Sequence, residues 1–206
     1  MNVDCPGALG ADAVKATIDY ALAAGWIGCE AAVIQAVAEV ESSGSGFLLD
    51  GRCKVIFEGY AFFSETKGRF AKTHPTLCFP EWTGEHYALG ETPEARGAGE
   101  IARLERAMAL DRSAALRSAS YGKFRIMGFN HRLCMYPDVG MFYEAMKRDA
   151  ASHLDAFCHL IKSLQLGGAL KRKDWAAFAL GYNGPGCARN DYAGRMTRAY
   201  ERLSGT

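Results

Sequence analysis

Residues 30–58 read EAAVIQAVAEVESSGSGFLLDGRCKVIFE, and the fold assignment depends on this stretch. Its first part, residues 30–42, predicts a helix because apolar residues recur at a spacing of three and four. The Ser/Gly run at 42–46 ends this helix, since it has low helix propensity and offers a glycine cap. Asp50-Gly51 then separates two short apolar runs, which predicts a β-hairpin. The stretch therefore predicts a helix, a small polar loop and a hairpin in succession.

The rest of the chain predicts helices more than strands. A helix over residues 12–24 meets the helix of residues 30–42 at Gly25–Gly28. Beyond the hairpin, an irregular loop is predicted over 67–96, and further helices over 99–117, 139–166 (one or two), 174–181 and 190–203, with a break at Gly167-Gly168. The expected fold class is mostly α, as one helical domain over residues 1–206 with a small early β-hairpin.

Composition excludes several classes of protein. The chain has 24 basic and 23 acidic residues, a net charge of +1, and 49% hydrophobic residues. These values exclude a disordered chain and do not favour a nucleic-acid partner. The seven cysteines are scattered singly and form no CxxC pair, which disfavours a zinc ribbon and suits a reducing compartment.

The stretch over residues 20–40 is rich in apolar residues, as a membrane-spanning helix would be. It contains Glu30, Gln35 and Glu39 and is interrupted by two glycines, so it predicts two helices without membrane insertion. The first 24 residues contain a single basic residue, Lys15, and so lack the basic start of a secretory signal. We therefore expect the protein to accumulate in the cytoplasm of the producing cell.

Motifs for cofactor and metal chemistry are absent from the sequence. It contains no GxGxxG or GxxxxGK[ST] phosphate-binding loop, no GxSxG nucleophile turn and no HExxH zinc motif. None of these motifs therefore predicts a metal or an organic cofactor.

Two carboxylates in the helix of residues 30–42 point in different directions. Glu39 and Glu41 are two residues apart, which places them about 200° apart around a helix. Glu41 shares the apolar face, whereas Glu39 is expected on the solvent side. Burial and the helix C-terminus both disfavour a charged Glu41 and would raise its pKa, as a general acid near neutral pH requires. A buried glutamate paired with an arginine is the structural alternative.

Glu58 is the second candidate, because it follows the apolar residues of the second hairpin strand. An exposed strand-end carboxylate or a core ion pair is the alternative for this residue. A carboxyl group at a helix end together with one on a hairpin is an arrangement used for glycoside hydrolysis.

Four segments, in order along the chain, resemble the N-acetylmuramidase family of phage endolysins within the lysozyme superfamily. They are Ala38-Glu-Val-Glu-Ser-Ser-Gly-Ser-Gly-Phe47, Lys54-Val-Ile-Phe-Glu58, the pair Ser118-Ala-Ser-Tyr-Gly122 and Ile126-Met-Gly-Phe-Asn130, and Tyr182-Asn-Gly-Pro-Gly186. The resemblance implies a lysozyme-like helical fold. It also implies cleavage of the β-1,4 bond between N-acetylmuramic acid and N-acetylglucosamine in peptidoglycan, which lyses the cell wall.

The resemblance also implies roles for individual residues. Glu41 would protonate the leaving glycosidic oxygen, and Glu58 would act as the base for a water or organise the site. Residues implied to bind substrate are Ser42, Tyr121, Arg125, Asn130, Tyr182 and Asn183. The two tyrosines would stack on sugars, contact the acid or belong to the core, and the two amides suit acetamido groups.

The sequence departs from the family pattern near these residues. Gly59-Tyr60 replaces an Arg-His pair, Tyr121 replaces a tryptophan, and Arg125 replaces a glutamine. Arg125 would either pair with Glu41 or Glu58 and lower the pKa of that carboxyl group, or bind a carboxylate of the glycan or peptide.

Three alternatives share most of these features: a lytic transglycosylase giving 1,6-anhydro products, an inactive peptidoglycan-binding relative, and a toxin aimed at rival bacteria.

For the favoured hydrolase we expect a monomer whose partner is peptidoglycan. It would be released from the cytoplasm to the periplasm by a pore-forming holin. Only about 25 residues precede the resemblance, so no separate wall-binding domain is expected.

Overall fold

The computed structural model of the chain describes residues 18–42, 45–185 and 191–205. Its helices are α1 (Tyr20–Ile27), α2 (Ala31–Ser42), α3 (Gly59–Thr66), α4 (Pro93–Leu110), α5 (Arg112–Arg117), α6 (Val139–Arg148), α7 (Ala150–Ser163), α8 (Gly167–Arg172), α9 (Trp175–Asn183) and α10 (Tyr192–Ser204). Its strands are β1 (Val55–Phe57), β2 (Ala119–Tyr121) and β3 (Ile126–Met127), and a 3₁₀ turn spans Gly128–Asn130. The predicted class, mostly α with a small sheet, is confirmed.

The chain divides into two compact units. The terminal unit comprises Met1–Ser45, Leu133–Met135 and Asp149–Thr206, and its described helices are α1, α2 and α7 to α10. The central unit comprises Gly46–Arg132 and Tyr136–Arg148, and it holds the sheet and α3 to α6. The single catalytic domain expected over residues 1–206 stays a prediction.

In the terminal unit, α1 has different bounds from those predicted. The described helix begins at Tyr20, where the Asp19 carboxylate caps it by accepting a hydrogen bond from the Leu22 amide at 2.9 Å, and it continues to Ile27. Gly28 ends it with a φ of 87°, a conformation that glycine adopts without strain. The earlier residues of the predicted helix, 12–17, lie outside the described residues. The predicted meeting of two helices at 25–28 is confirmed.

The predicted break at Gly167-Gly168 is displaced, because α7 ends at Ser163 and α8 begins at Gly167, so the interruption falls at residues 164–166. Both glycines lie in the first turn, where backbone N–H groups have no intrahelical partner, so their low helix propensity costs less than in a helix interior. The helix ends at Arg172, and the capping residue Lys173 has a left-handed backbone with a φ of 58°.

The sheet of the central unit is built differently from the predicted hairpin. The Asp50-Gly51 turn closes only an isolated bridge between Phe47 and Cys53. Strand β1 instead pairs antiparallel with β2, with Val55 opposite Tyr121, and β2 pairs with β3. Strands β2 and β3 were not predicted from the sequence. Glu58 therefore follows the edge strand of a three-stranded sheet.

The helix predicted over residues 99–117 is two helices. Helix α4 begins earlier, at Pro93, after Thr92 has capped it with its side-chain oxygen. Asp111 ends α4 and starts α5, because its carboxylate accepts a hydrogen bond from the Ala114 amide at 3.0 Å. The short helix α3, which starts directly after Glu58, was not predicted.

Among the described residues, no single helix is long and apolar enough to cross a membrane. Helices α1 and α2 together would pass that test of length and composition, but they are bent by 108° at the break between them.

Candidate active site

Glu41 lies in the last turn of α2, in the terminal unit. Ile34 and Val37, on the same face of the helix, are fully buried, and Glu41 itself is half-buried. Asn183, the last residue of α9, donates a hydrogen bond from Nδ2 to Glu41 Oε1 at 3.1 Å. The predicted inward direction of Glu41 is confirmed. The structure adds a hydrogen-bond donor that fixes one of its two oxygens.

Glu39 has the opposite environment. Its side chain is exposed and pairs with the Arg202 guanidinium on α10. This is the solvent position that the helical spacing predicts, and it makes Glu39 a matched control for Glu41.

Residues of α2 itself and of α9 and α10 surround the end of α2. The Tyr182 ring stacks on Phe178 with ring centres 5.2 Å apart, and burial raises the pKa of its hydroxyl well above the usual range. Arg195 Nη2 donates to the Val40 carbonyl at 3.0 Å. The buried Ser42 hydroxyl donates to the Ala38 carbonyl at 2.8 Å, so it stabilises the helix end. Sugar binding by Ser42, Tyr182 and Asn183 stays a prediction.

Glu58 belongs to the central unit, between β1 and α3. Its amide donates to the Ser118 carbonyl at 2.9 Å, which anchors the backbone to the residue just before β2. Tyr87 Oη donates to Glu58 Oε2 at 2.5 Å. Burial raises the pKa of the Glu58 carboxyl group above its usual range; the Tyr87 hydrogen bond opposes this rise. The charge of Glu100 adds to the rise, whereas Arg103 and Arg125 oppose it.

We expect Tyr87→Phe to raise the pKa of Glu58 further. The hydroxyl donates to the ionised carboxylate and favours it, so removing the hydroxyl leaves burial less opposed. The measurement is an NMR titration of the Glu58 carboxyl carbon. A pKa that stays the same or falls would show that this hydrogen bond does not stabilise the carboxylate.

Arg125 lies between β2 and β3, with a left-handed backbone φ of 50°. Its charge lowers the pKa of the Glu58 carboxyl group. A direct ion pair of Arg125 with Glu41 or Glu58, and binding of a carboxylate of the glycan or peptide, stay predictions. Gly59, where the family pattern has an arginine, lies under the Phe79 ring. A Cβ at this position would come within 2.2 Å of that ring, so this chain has no space for a side chain there.

Tyr121 and Asn130 differ in accessibility. Tyr121 is 1% exposed, its hydroxyl donates to the Leu116 carbonyl at 2.9 Å, and its ring meets Phe142 edge-on. The ring therefore presents no open face to a sugar, which fits the alternative of a core tyrosine. Asn130 ends the 3₁₀ turn and is half-buried, so its contact with an acetamido group stays a prediction.

A buried ion pair next to Glu58 was missed by the sequence analysis. Arg103 Nη1 and Glu100 Oε2 lie 2.9 Å apart on α4, and both side chains are almost fully buried. Glu100 accepts hydrogen bonds from the amides of Phe57 at 2.9 Å and Ala88 at 2.6 Å. The pair thus ties the end of β1 to the loop before α4. Its signal in the sequence is helical spacing, since Glu100 shares a face with the buried Leu104.

We searched the part of the chain that the structure describes for clusters of metal-ligating side chains. No group of three or more His, Cys, Asp or Glu residues there could hold a metal ion.

Comparisons with known proteins place these observations in a family. A model of the N-acetylmuramidase family matches residues 30–204. The chain is similar to the crystal structure of an endolysin from the Burkholderia phage AP3, at 35% sequence identity and a TM-score of 0.76. The match covers 90% of this chain and 69% of the endolysin chain. No curated protein matches the chain. The similarity to the endolysin confirms the predicted lysozyme-like helical fold.

Proposed function

The chain belongs to the N-acetylmuramidase family and is a peptidoglycan hydrolase, and we propose that it cleaves the β-1,4 bond between N-acetylmuramic acid and N-acetylglucosamine. Cleavage of that bond would break the glycan strands and lyse the bacterial wall. Support comes from the family match and from two half-buried glutamates, Glu41 and Glu58, which lie in segments that resemble motifs of the family.

Glu41 is proposed as the general acid. The observation that carries this role is the hydrogen bond from Asn183 to Oε1, in the last turn of a helix whose neighbouring face is buried. The Asn183 amide holds the carboxyl group through Oε1. The acidic proton of Glu41 would pass to the leaving glycosidic oxygen as the bond breaks. Asn183 is then a positioning residue for the acid.

Glu58 is proposed to act either as the base that activates a water or as an organiser of the site. A base must be ionised, and burial works against ionisation here, whereas Tyr87 and Arg125 favour it. The hydrogen bond from Tyr87 and the charge of Arg125 thus favour the carboxylate form that a base requires.

We expect Arg125→Gln to move the acidic limb of the pH–rate profile to higher pH. Removing a positive charge that lowers the pKa of Glu58 raises that pKa, so the ionised form appears only at higher pH. The measurement is kcat/KM on soluble peptidoglycan fragments across the acidic range. An unmoved limb would mean that ionisation of Glu58 does not control the rate.

Digestion of purified peptidoglycan tests the proposed bond. Mass analysis of the fragments distinguishes three results. N-acetylmuramic acid at the new reducing ends supports the proposal. N-acetylglucosamine at those ends contradicts it. Products ending in 1,6-anhydromuramic acid identify a lytic transglycosylase instead. Monomeric state, cytoplasmic production and holin-dependent release remain predictions.

A further inference from the structure

A hydrogen-bonded chain joins a surface tryptophan to Glu58 within the central unit. The Trp82 indole Nε1 donates to Tyr87 Oη at 2.8 Å, and the same hydroxyl donates to Glu58 Oε2 at 2.5 Å. Trp82 is 54% exposed, whereas Glu58 is half-buried. Only one tyrosine hydroxyl therefore separates an exposed aromatic surface from the second candidate carboxylate.

Tyr87, the middle residue of the Trp82–Tyr87–Glu58 series, is firmly anchored. The Arg103 guanidinium lies over the Tyr87 ring, 5.5 Å from its centre. The amide of Ala88, the residue after Tyr87, donates a hydrogen bond to the Glu100 carboxylate. The same carboxylate accepts a hydrogen bond from the amide of Phe57, the residue directly before Glu58. One buried carboxylate thus fixes the backbone on both sides of the Tyr87–Glu58 hydrogen bond. A ligand seated on Trp82 would consequently have a defined position relative to Glu58.

The exposed part of Trp82 is apolar. Its only hydrogen-bond donor is already used inside the protein, so carbon atoms make up what remains of the ring surface. Gly84 packs beside the ring with a left-handed φ of 76°, and a Cβ there would lie 3.5 Å from the indole. The loop is tightened further by the Glu85 amide, which donates to Thr83 Oγ1 at 3.2 Å. The ring is therefore hydrogen-bonded to the protein through its nitrogen and has an open apolar surface.

We propose that Trp82 is a stacking platform for one N-acetylglucosamine ring of the glycan, in a subsite next to Glu58. The proposal rests on the proposed function. A β-linked pyranose exposes axial C–H groups on its faces, and an aromatic ring removes such a face from water by dispersion contact.

Charge next to the platform favours the neutral sugar. Two exposed glutamates lie close to Trp82 in the sequence: Glu81 directly precedes it, and Glu85 follows it by three residues. Their carboxylates disfavour an anionic ligand, and N-acetylmuramic acid carries a lactyl group that is anionic when no peptide is attached. N-acetylglucosamine has no ionisable group, so it is the ring of the glycan that meets no charge repulsion.

Binding of the β-1,4-linked N-acetylglucosamine tetramer tests the platform, because every ring of this probe is the proposed occupant. Calorimetric titration of the full chain should show binding, and Trp82→Ala should weaken it by about tenfold or more. Trp26→Ala is the matched control. Trp26 is packed against His159 with Lys162 over its ring, so the affinity should not change.

A second measurement needs no substitution. N-bromosuccinimide oxidises exposed indoles, and peptide mass analysis gives the rate for Trp82 separately from Trp26 and Trp175. The tetramer should slow oxidation of Trp82 alone. Equal oxidation rates with and without the tetramer would overturn the proposal. Absence of tetramer binding to the unsubstituted chain would also overturn it, as would an affinity that Trp82→Ala leaves unchanged.

The platform and the proposed function can fail separately. If the tetramer binds through Trp82 but peptidoglycan is not cleaved, the platform stands and the proposed function is wrong. If peptidoglycan is cleaved but Trp82→Ala changes neither tetramer affinity nor KM, the proposed function stands and the platform is wrong.

Discussion

Glu41→Gln is expected to reduce cleavage of peptidoglycan by about 10²–10⁴-fold, the usual contribution of general acid catalysis. Glutamine keeps the size and shape of the side chain but has no acidic proton to give to the leaving oxygen. Its amide oxygen can still accept the hydrogen bond from Asn183 Nδ2, so the fold should be retained. The measurements are the rate of release of soluble fragments and the melting temperature.

Glu39→Gln is the control for this prediction. It makes the same chemical change two residues away, on the exposed face of α2, where the carboxylate pairs with Arg202. An exposed ion pair contributes about 1 kcal/mol or less, so this variant should remain active and folded. Full activity of Glu41→Gln, or inactivity of Glu39→Gln alone, would contradict the assignment. Unfolding of Glu41→Gln would instead support a structural role for Glu41.

Arg103→Ala is expected to lower the free energy of unfolding by about 3–5 kcal/mol. The Glu100 side chain is only 7% exposed, so the substitution leaves a buried carboxylate without its cation. It also removes the hydrogen bond that Arg103 donates to the Phe57 carbonyl at 3.0 Å. Since a protein of this kind is stabilised by about 5–15 kcal/mol in total, the loss is a large fraction. Urea denaturation followed by circular dichroism measures it.

Arg117→Ala provides the comparison, because Arg117 pairs with Glu65 at 2.7 Å while about a third of its side chain is exposed. Solvent screens that pair, so its loss should cost about 1 kcal/mol or less. Equal losses for the two variants would show that burial of the Glu100–Arg103 pair is not what makes it important.

The sequence predicts the Glu41 region because its signal is local. Apolar spacing in residues 30–42 sets both the helix and the direction of Glu41, and neither depends on distant parts of the chain. The partner of β1 cannot be predicted in this way. Val55 pairs with Tyr121, which is far away in sequence, and the strands are too short for a clear alternating pattern.

The environment of Glu58 is largely inaccessible to sequence analysis for the same reason. Tyr87 and Trp82 lie in a loop without periodicity, so nothing local indicates that one contacts Glu58 and the other contacts Tyr87. Glu100 is an intermediate case. Its spacing from Leu104 and Ala107 predicts a buried position on α4, but it does not predict the hydrogen bonds that Glu100 accepts from two backbone amides.

Digestion of purified peptidoglycan in ¹⁸O-labelled water, followed by mass analysis of the fragments, tests the central claim most directly. A hydrolase that breaks the N-acetylmuramic acid bond adds one labelled oxygen at each new N-acetylmuramic acid reducing end. We expect that label for the unsubstituted chain and its near absence for Glu41→Gln. Unlabelled fragments ending in 1,6-anhydromuramic acid, or label on N-acetylglucosamine ends, would contradict it.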